Sequence, residues 1–232
     1  MTNAISPRRL AATASSLLPE WKPAGSRGVI LEAALRLFAE RGYAGASIRD
    51  IAAASGVQPA TLYSHYPSKE HVLAELARIG HEEHLRRVRS ALLASQPDPR
   101  HQVCAYVRGH VSLHTDFQML AVVANAELHM LSHALGSATF ELRKHSEQLL
   151  QDIIQRGVDM GVFRIPDVWL AVAAIGGMGL RVAYWFTPDL DLNGEQVGDI
   201  YSEYALRILD AAGPAEAPGA SKPSRKPVRV KK

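Results

Sequence analysis

Apolar residues recur at helical spacing through most of the chain between residues 26 and 212. The segment RGVILEAALRLFAERG is an example, and its apolar stripe consists of Ile30, Ala33, Ala34, Leu37 and Phe38. Spacings of three and four residues place these side chains on one face of an α-helix, and Gly42 is the expected end of that helix. No segment of the sequence shows the alternation and turn residues of paired strands. The pattern therefore predicts an all-α fold.

Residues 47–73, SIRDIAAASGVQPATLYSHYPSKEHVL, contain two short helical segments around a serine–glycine pair. Ser47 can cap the first segment, and Asp50 is favourable near a helix N-terminus. Gly56 can adopt the positive φ angle of a turn. Pro59 suits the first turn of the second segment, where its missing N–H leaves no bond unmade. This order of cap, turn and helix start predicts a helix-turn-helix.

The second short helix carries polar residues on the face turned away from its partner helix. A helix held in this way fits the major groove of DNA, where its first residues meet base edges. Gln58 and Thr61 can bond to bases, and the methyl groups of Ala60 and Thr61 can contact thymine. Neighbouring side chains and amides would reach phosphates. The candidate DNA contacts are Ser47, Gln58, Pro59, Ala60, Thr61, Tyr63, His65 and Lys69.

The segment ILEAALRLFAERGYAGASIRDIAAASGVQPATLYSHYPSKEHVLAEL, about residues 28–76, closely resembles the DNA-binding domain of TetR-family bacterial regulators. The matching positions are Phe38, Gly42, Ser47, Ile51, Ala52, Gly56, Val57, Leu62, Tyr63, Tyr66 and Lys69. A small departure is Tyr66-Pro67, where Phe and a variable residue are more usual. The resemblance implies an all-α homodimer with three N-terminal helices for DNA and about six C-terminal helices for effector binding and dimerisation. Members are mostly repressors that a small molecule releases from a palindromic operator.

The C-terminal part resembles a narrower group of regulators, over about residues 100–210. The segments NAELHMLSHALGSATFELRKHSEQLLQDIIQRGVDMGVF and YWFTPDLDLNGEQVGDIYSEYALRIL are similar to regulators of steroid and fatty-acid catabolism. Several of those regulators respond to acyl-CoA thioesters. This resemblance implies a hydrophobic acyl-CoA effector, and a multidrug- or xenobiotic-sensing repressor is the alternative.

Charge is distributed unevenly along the chain. Residues 1–75 hold eight lysines and arginines against six acidic residues, residues 76–212 hold twelve against sixteen, and residues 213–232 hold six against one. This division suits a nucleic-acid contact at one end of the molecule. The proline-containing ends lack a sustained period and are expected to be unstructured. We therefore expect a flexible arm at 1–25, a DNA-binding domain at 26–75, a ligand-binding and dimerisation domain at 76–212, and a disordered basic tail at 213–232.

The composition favours a cytoplasmic protein. Cys104 is the single cysteine, so no disulfide can form within the chain, which suits a reducing compartment. The first residues lack the long apolar run of a signal peptide. We also expect no apolar stretch of 18 residues, and hence no membrane association.

The segment DVWLAVAAIGGMGLRVAYWF is apolar on nearly all faces, so it should be buried on several sides. Its three glycines, Gly176, Gly177 and Gly179, each destabilise a helix by about 1 kcal/mol relative to alanine. We therefore expect close backbone packing to compensate for them. Helices at about 166–187 and 194–211 are expected to form a two-fold dimer interface.

An effector cavity is expected between the helices at about 103–133 and 167–186, where aromatic and methionine side chains are frequent. Arg181 inside an apolar helix would either pair with Glu127 or face an anionic ligand. Arg143 is a second cation for the phosphates of a CoA thioester. The candidate ligand contacts are Tyr106, His110, Met130, Arg143, Met178, Arg181 and Trp185.

Other functional classes have weaker support in the sequence. His110 and His114 are four residues apart, as are His129 and His133, which would suit a zinc-sensing regulator or an α-helical enzyme. No cysteine or clear carboxylate ligand joins either pair. The nucleophile-elbow, Walker and zinc-protease motifs are missing from the sequence. We therefore expect a regulator, with no cofactor, no metal and no catalytic residues. A solvated helix hairpin is disfavoured because cap, turn, apolar face and polar face all agree.

Overall fold

A computed structural model describes Leu17, residues 19–187 and residues 190–211. Every regular element within these residues is a helix, which confirms the predicted all-α fold for the described part. The α-helices are α1 (Ser26–Arg41), α2 (Ile48–Ser55), α3 (Pro59–His65), α4 (Lys69–Leu93), α5 (Pro99–Asp116), α6 (Gln118–Ala126), α7 (His133–Asp159), α8 (Val168–Trp185) and α9 (Gly194–Ile208). Short 3-10 helices lie at Pro19–Trp21 and Leu128–Met130. The tail expected at 213–232 lies outside the described residues.

Helices α1, α2 and α3 form a small N-terminal domain around one apolar core. Phe38 of α1, Ile51 of α2 and Leu62 of α3 are buried together in it. As predicted, α1 ends at Gly42, which has φ 72° and donates its N–H to the carbonyl of Phe38. The apolar stripe of the sequence is therefore the face on which the three helices meet.

The segment before α1 is folded onto the rest of the protein. Leu17 is buried, and the indole N–H of Trp21 donates to Glu83 of α4 at 3.0 Å. Lys22 pairs with Glu32 of α1 at 2.8 Å. Trp21 and Lys22 thus contact α4 and α1, within the segment where we expected a flexible arm up to residue 25. The remaining part of that arm, residues 1–16 and 18, lies outside the described residues.

Helix α4 belongs to both halves of the molecule. Its 25 residues span about 37 Å. Val72, Leu73 and Leu76 near its start are buried in the N-terminal core, and Val88 near its end is buried in the core of α5, α7, α8 and α9. The two halves are therefore joined by one continuous helix rather than by a flexible linker.

A buried carboxylate ties α4 to its neighbours. Glu83 is fully buried, and it lies 2.6 Å from Nε of Arg86 and 2.7 Å from Nε of Arg87. Burial alone would raise the pKa of this carboxyl, but hydrogen bonds from both arginines and from Trp21 hold the pKa below its usual value. Arg87 also pairs with Asp116 at the end of α5 at 2.7 Å. The charge is therefore satisfied inside the fold, as burial requires.

Helix α8 is long and apolar enough, by length and composition, to cross a membrane. The expectation that the chain contains no apolar stretch of 18 residues is therefore wrong. Only 33% of this window is buried within the single chain. Trp169 and Leu170 at its start are 67% and 57% exposed. The helix has an apolar face that the described chain itself does not cover.

The glycines of α8 differ in their surroundings. At Gly179 a Cβ atom would overlap the imidazole ring of His110, so α8 and α5 approach closely there, as expected from the sequence. At Gly176 and Gly177 no described atom lies within 4 Å of the place that a Cβ atom would take. Within the described chain, a contact that excludes a Cβ atom is therefore found at Gly179 and not at the other two glycines, although the backbone carbonyl of Gly176 also contacts His110 at 3.1 Å.

Replacing Gly179 with alanine should lower the free energy of unfolding by about 1–3 kcal/mol, because the added methyl group overfills a packed interior. The matched control is Gly198→Ala in α9, where the new Cβ would make ordinary contact with Arg108 at 3.5 Å. That control should be neutral or stabilising by up to about 1 kcal/mol through helix propensity. Urea unfolding at one fixed protein concentration measures both. Equal effects of the two substitutions would contradict a steric limit at Gly179.

Candidate DNA interface and effector cavity

The start of the helix-turn-helix is held by a reciprocal cap. The hydroxyl of Ser47 accepts from the backbone N–H of Asp50 at 3.1 Å, and the Asp50 carboxylate accepts from the Ser47 N–H at 2.8 Å. Hydrogen bonds from Ser47 lower the pKa of the Asp50 carboxyl. Gly56, with φ 68° and ψ 18°, makes the left-handed turn that ends α2. The predicted cap and turn are both present.

Helix α3 presents most of its surface to solvent. It buries only Leu62, while Tyr63 is 51% exposed and Thr61 is half-buried. Tyr66, directly after the helix, is buried, and its hydroxyl accepts from Nε of Arg27 at 3.1 Å. The helix is thus anchored by one face and its end. The exposed members of the candidate set on or beside α3 are Gln58, Pro59, Ala60, Tyr63 and His65.

Lys69 is engaged within the protein. Its ammonium donates to the carbonyls of Tyr43 at 2.8 Å and Ala46 at 2.9 Å, and it lies 4.0 Å from the centre of the Tyr43 ring. These bonds fasten the start of α4 to the loop between α1 and α2. They use two of the three ammonium donors, so the expected phosphate contact stays a prediction that depends on the third donor.

Two carboxylates connect the DNA-binding domain to the body of α5–α9. Glu127, just after α6, accepts from the backbone N–H of Tyr43 at 3.0 Å. Glu70 of α4 accepts from the backbone N–H of Ser132 at 2.7 Å. Hydrogen bonds from the Ser132 side chain and from this N–H lower the pKa of Glu70. Glu127 therefore holds the loop between α1 and α2. The expected pairing of Glu127 with Arg181 is not observed.

A cavity of about 60 Å³ lies among α4, α5, α6, α7 and α8. Its walls combine small or apolar residues with histidines and a few other polar groups. The lining residues are Gly80, His81, His84, Tyr106, His110, Leu113, His114, Ala124, Asn125, Arg143, Ser146, Glu147, Gly176 and Leu180. Three of the candidate ligand contacts are among them: Tyr106, His110 and Arg143.

The other four candidate ligand contacts lie outside this cavity. Met130 is 40% exposed in the second 3-10 helix, and Met178 and Trp185 pack in the core of α5, α8 and α9. Arg181 is exposed and stacks over the ring of Tyr184 at 4.5 Å. The orientation of α8 about its axis explains the position of Arg181. Gly176 and Leu180 face the cavity, and Arg181, the residue after Leu180, points about 100° away around the helix.

Four histidines dominate the polar wall of the cavity, of which His81, His110 and His114 are buried and His84 is half-buried. Nε2 of His84 lies 2.6 Å from Nδ1 of His110, and Nδ1 of His114 lies 2.8 Å from the carbonyl oxygen of His110. Burial lowers the pKa of His81 and of His110 to about 4 and that of His114 to about 3. Burial and the neighbouring histidines also place the pKa of His84 well below its usual value. All four imidazoles are therefore neutral at pH 7.

Sequence reasoning missed His81, His84 and Ser146 as cavity residues. A signal was present, because His81 and His84 are three residues apart on one helix and face the His110–His114 pair. The i, i+3 spacing places two side chains on the same helix face. His129 and His133, the other expected pair, are exposed. In the described part of the chain, no group of three or more histidine, cysteine or acidic residues is arranged to hold a metal ion.

Arg143 stands beside the cavity as a partly exposed cation, paired with Glu147 one turn along α7 at 2.8 Å. Tyr106 lies deeper, and burial raises the pKa of its phenol to about 12. The site therefore consists of a neutral, mostly apolar interior and one charged pair. It has the shape and chemistry of a small-molecule cavity.

Both halves of the chain match known families. Residues 30–76 match the family described as "Bacterial regulatory proteins, tetR family", and residues 96–209 match "Tetracyclin repressor-like, C-terminal domain". The HTH-type transcriptional repressor KstR2 of Rhodococcus jostii is 28% identical over 188 residues. These cover 80% of this chain and 90% of that protein.

Crystal structures of regulators extend the similarity to the whole fold. PfmR, a TetR family transcriptional regulator from Thermus thermophilus, is 33% identical, with a TM-score of 0.69 over 78% of this chain and 98% of PfmR. AibR in complex with isovaleryl coenzyme A and operator DNA is 25% identical, with a TM-score of 0.71 over 81% of this chain and all of AibR. The similarity spans the helix-turn-helix and the cavity-bearing body, and the chain belongs to the TetR family of transcriptional regulators.

Proposed function

We propose that the protein is a dimeric transcriptional repressor that an acyl-CoA thioester releases from a palindromic operator. The observation that carries this proposal is α4, which begins beside the DNA-reading helix and lines the cavity with Gly80, His81 and His84. KstR2 is named as a repressor, and AibR was crystallised with both an acyl-CoA and its operator. A regulatory rather than enzymatic role follows.

A second connection between ligand and DNA runs through α6. Ala124 and Asn125 line the cavity, and Glu127, two residues further on, accepts the backbone N–H of Tyr43. A ligand that displaces α6 therefore acts on the loop between α1 and α2. Release requires that the ligand favour a conformation in which the spacing of the two recognition helices does not match the operator. A ligand with equal affinity for both conformations would not change their populations.

The cavity wall offers a cation for the anionic part of a CoA thioester. Arg143 lies beside the cavity, and its side chain is 43% exposed, so it can meet a phosphate at the cavity mouth. The acyl part would enter the neutral interior. An uncharged drug would not need Arg143, and the apolar lining keeps a multidrug sensor as the second candidate function.

The dimer would form through α8 and α9. Their outward faces expose apolar side chains, including Leu170, Tyr204 and Ile208 at 57%, 45% and 41%. A Cβ atom added at Gly177 would have no described neighbour within 4 Å, which leaves room for a second copy. A second copy would also cover the apolar face of α8 without a membrane, in keeping with a cytoplasmic DNA-binding protein.

Thr61→Ala should weaken operator binding by about 1–3 kcal/mol and relax specificity at one base pair, because Thr61 stands at the base-reading start of α3. Fluorescence anisotropy with the operator and its single-base variants measures this. Lys69→Ala serves as the contrast, and it should weaken binding to all sequences alike and reduce the salt slope by about one. An unchanged salt slope would assign the Lys69 effect to its bonds with Tyr43 and Ala46 instead of to a phosphate.

Leu170→Asp should convert the dimer into monomers, because a carboxylate buried in an apolar interface lacks a partner. Light scattering at micromolar concentration gives the mass of each variant. Leu93→Asp is the matched control, since Leu93 is 88% exposed at the far end of α4 and should leave the dimer intact. A monomeric wild-type protein would contradict the dimer itself.

Acyl-CoA thioesters should release the protein from its operator, whereas the matching free acids should act weakly or not at all. Arg143→Ala should weaken the response to the thioesters about fivefold, as expected for a partly exposed ion pair. Lys144→Ala is the control, because Lys144 is the exposed neighbour that does not line the cavity. If uncharged drugs release the operator and thioesters do not, the multidrug alternative takes the place of this proposal.

A further inference from the structure

Carbonyl oxygens fix the positions of protons in the cavity wall, because a carbonyl can only accept a hydrogen bond. Nε2 of His110 lies 3.1 Å from the carbonyl oxygen of Gly176, so Nε2 carries the proton and Nδ1 accepts. Nε2 of His84 must then donate to that Nδ1. Nδ1 of His84 accepts from the hydroxyl of Ser146 at 3.3 Å, and Ser146 accepts from Tyr106 at 3.2 Å. The result is a chain of hydrogen bonds in which Tyr106, Ser146, His84 and His110 each donate to the next group, and the carbonyl oxygen of Gly176 is the last acceptor.

The same argument leaves one other imidazole with a bare nitrogen. Nδ1 of His114 donates to the carbonyl oxygen of His110, so Nε2 of His114 carries a lone pair. Within the described residues, Nε2 of His81 and Nε2 of His114 have no hydrogen-bond partner, although both atoms are buried. The two side chains are only 7% and 1% exposed, and both line the cavity.

Nε2 of His114 remains an acceptor at neutral pH. Burial, the largest cause, and the cation of Arg143 lower the pKa of His81 to about 4, and burial with His110 lowers that of His114 to about 3. The other titratable groups that line the cavity are His84, Tyr106 and Glu147, and the lining residues of α6 and α8 contribute none. A carboxylate or carbonyl oxygen placed beside Nε2 of His114 would meet a lone pair, because both atoms are acceptors.

The size of the cavity limits the ligand group further. Its volume is about 60 Å³, whereas an engineered apolar cavity of about 150 Å³ admits benzene. A fused-ring skeleton does not fit this conformation. A short chain of a few heavy atoms does, with its methyl groups against Leu113, Ala124 and Leu180.

We propose that the cavity selects an effector whose short acyl chain carries a hydroxyl group, which donates its single proton to the bare Nε2 of His114. The proposal rests on the acyl-CoA function proposed above and adds the chemistry of the acyl part. A buried acceptor without a donor is destabilising, so the hydroxyl is preferred over a hydrogen or a keto oxygen at the same carbon. The hydrogen-bond chain from Tyr106 to Gly176 already has all its protons placed, so it offers the ligand no free acceptor.

The test compares three CoA thioesters of equal chain length by calorimetry with the full-length protein. 3-Hydroxybutyryl-CoA should bind about ten- to a hundredfold more tightly than acetoacetyl-CoA, which offers only an acceptor, and than butyryl-CoA, which offers neither. His114→Leu should reduce this preference to within about twofold. The control His129→Leu replaces an exposed histidine outside the cavity and should keep the preference. Equal binding of the three thioesters to the wild type, or a preference for the keto compound, overturns the proposal.

A second measurement does not depend on coenzyme A or on a variant that folds. Nitrogen-15 NMR of the wild-type imidazoles should show the Nδ1–H tautomer for His114 and the Nε2–H tautomer for His84 and His110. Butan-2-ol should shift the Nε2 resonance of His114, and butanone should not. If no thioester binds but butan-2-ol acts in this way, the acyl-CoA function fails and the donor-selective cavity stands. An Nε2–H tautomer at His114 overturns the proposal.

Discussion

The structure depends on α4, a single helix that is buried in the cores of both halves of the molecule. The first turns of α4 complete the core of the helix-turn-helix, and its last turns belong to the core of the body. Glu83, in the middle of α4, is a fully buried carboxylate whose partners lie on α4 itself and on the segment before α1. Breaking such a group away from its partners is costly, so the segment that contains Trp21 stays attached to α4. Under the function proposed above, a ligand at the cavity acts on the DNA-binding domain by displacing α4 as a stiff element.

The sequence contained enough information for the helix-turn-helix because its determinants are local. Ser47 caps α2, Gly56 takes the left-handed turn, and Pro59 begins α3, each through contacts within a few residues. The cavity is different, since its members come from five helices. The rotation of α8 about its axis decides whether Gly176 or Arg181 faces inward, and that rotation is set by packing against α5 at Gly179. Helical periodicity alone does not predict this rotation.

The same distinction explains Lys69 and the histidines. The position of Lys69 at the start of α4 suggested a phosphate contact, but two backbone carbonyls of the α1–α2 loop lie within its reach and bind it. Those carbonyls are unpredictable from residue type. The spacing of His81 and His84 was visible in the sequence, yet their meeting with His110 requires the packing of α4 on α5. The contacts of Lys69 and of the histidines are therefore determined by packing between distant segments, which residue type alone does not predict.

The unpaired imidazole nitrogens in the cavity also bear on the stability of the protein. A core with two buried, unpaired imidazole nitrogens is less stable than one filled with leucine of similar shape, because their desolvation is not repaid within the described residues. Under the function proposed above, this defect is an example of a trade-off between stability and function. Substitutions that fill the region with apolar side chains would then raise thermal stability while making the protein unresponsive to its effector. Selection for robustness alone would remove the histidines, whereas selection for sensing would keep them.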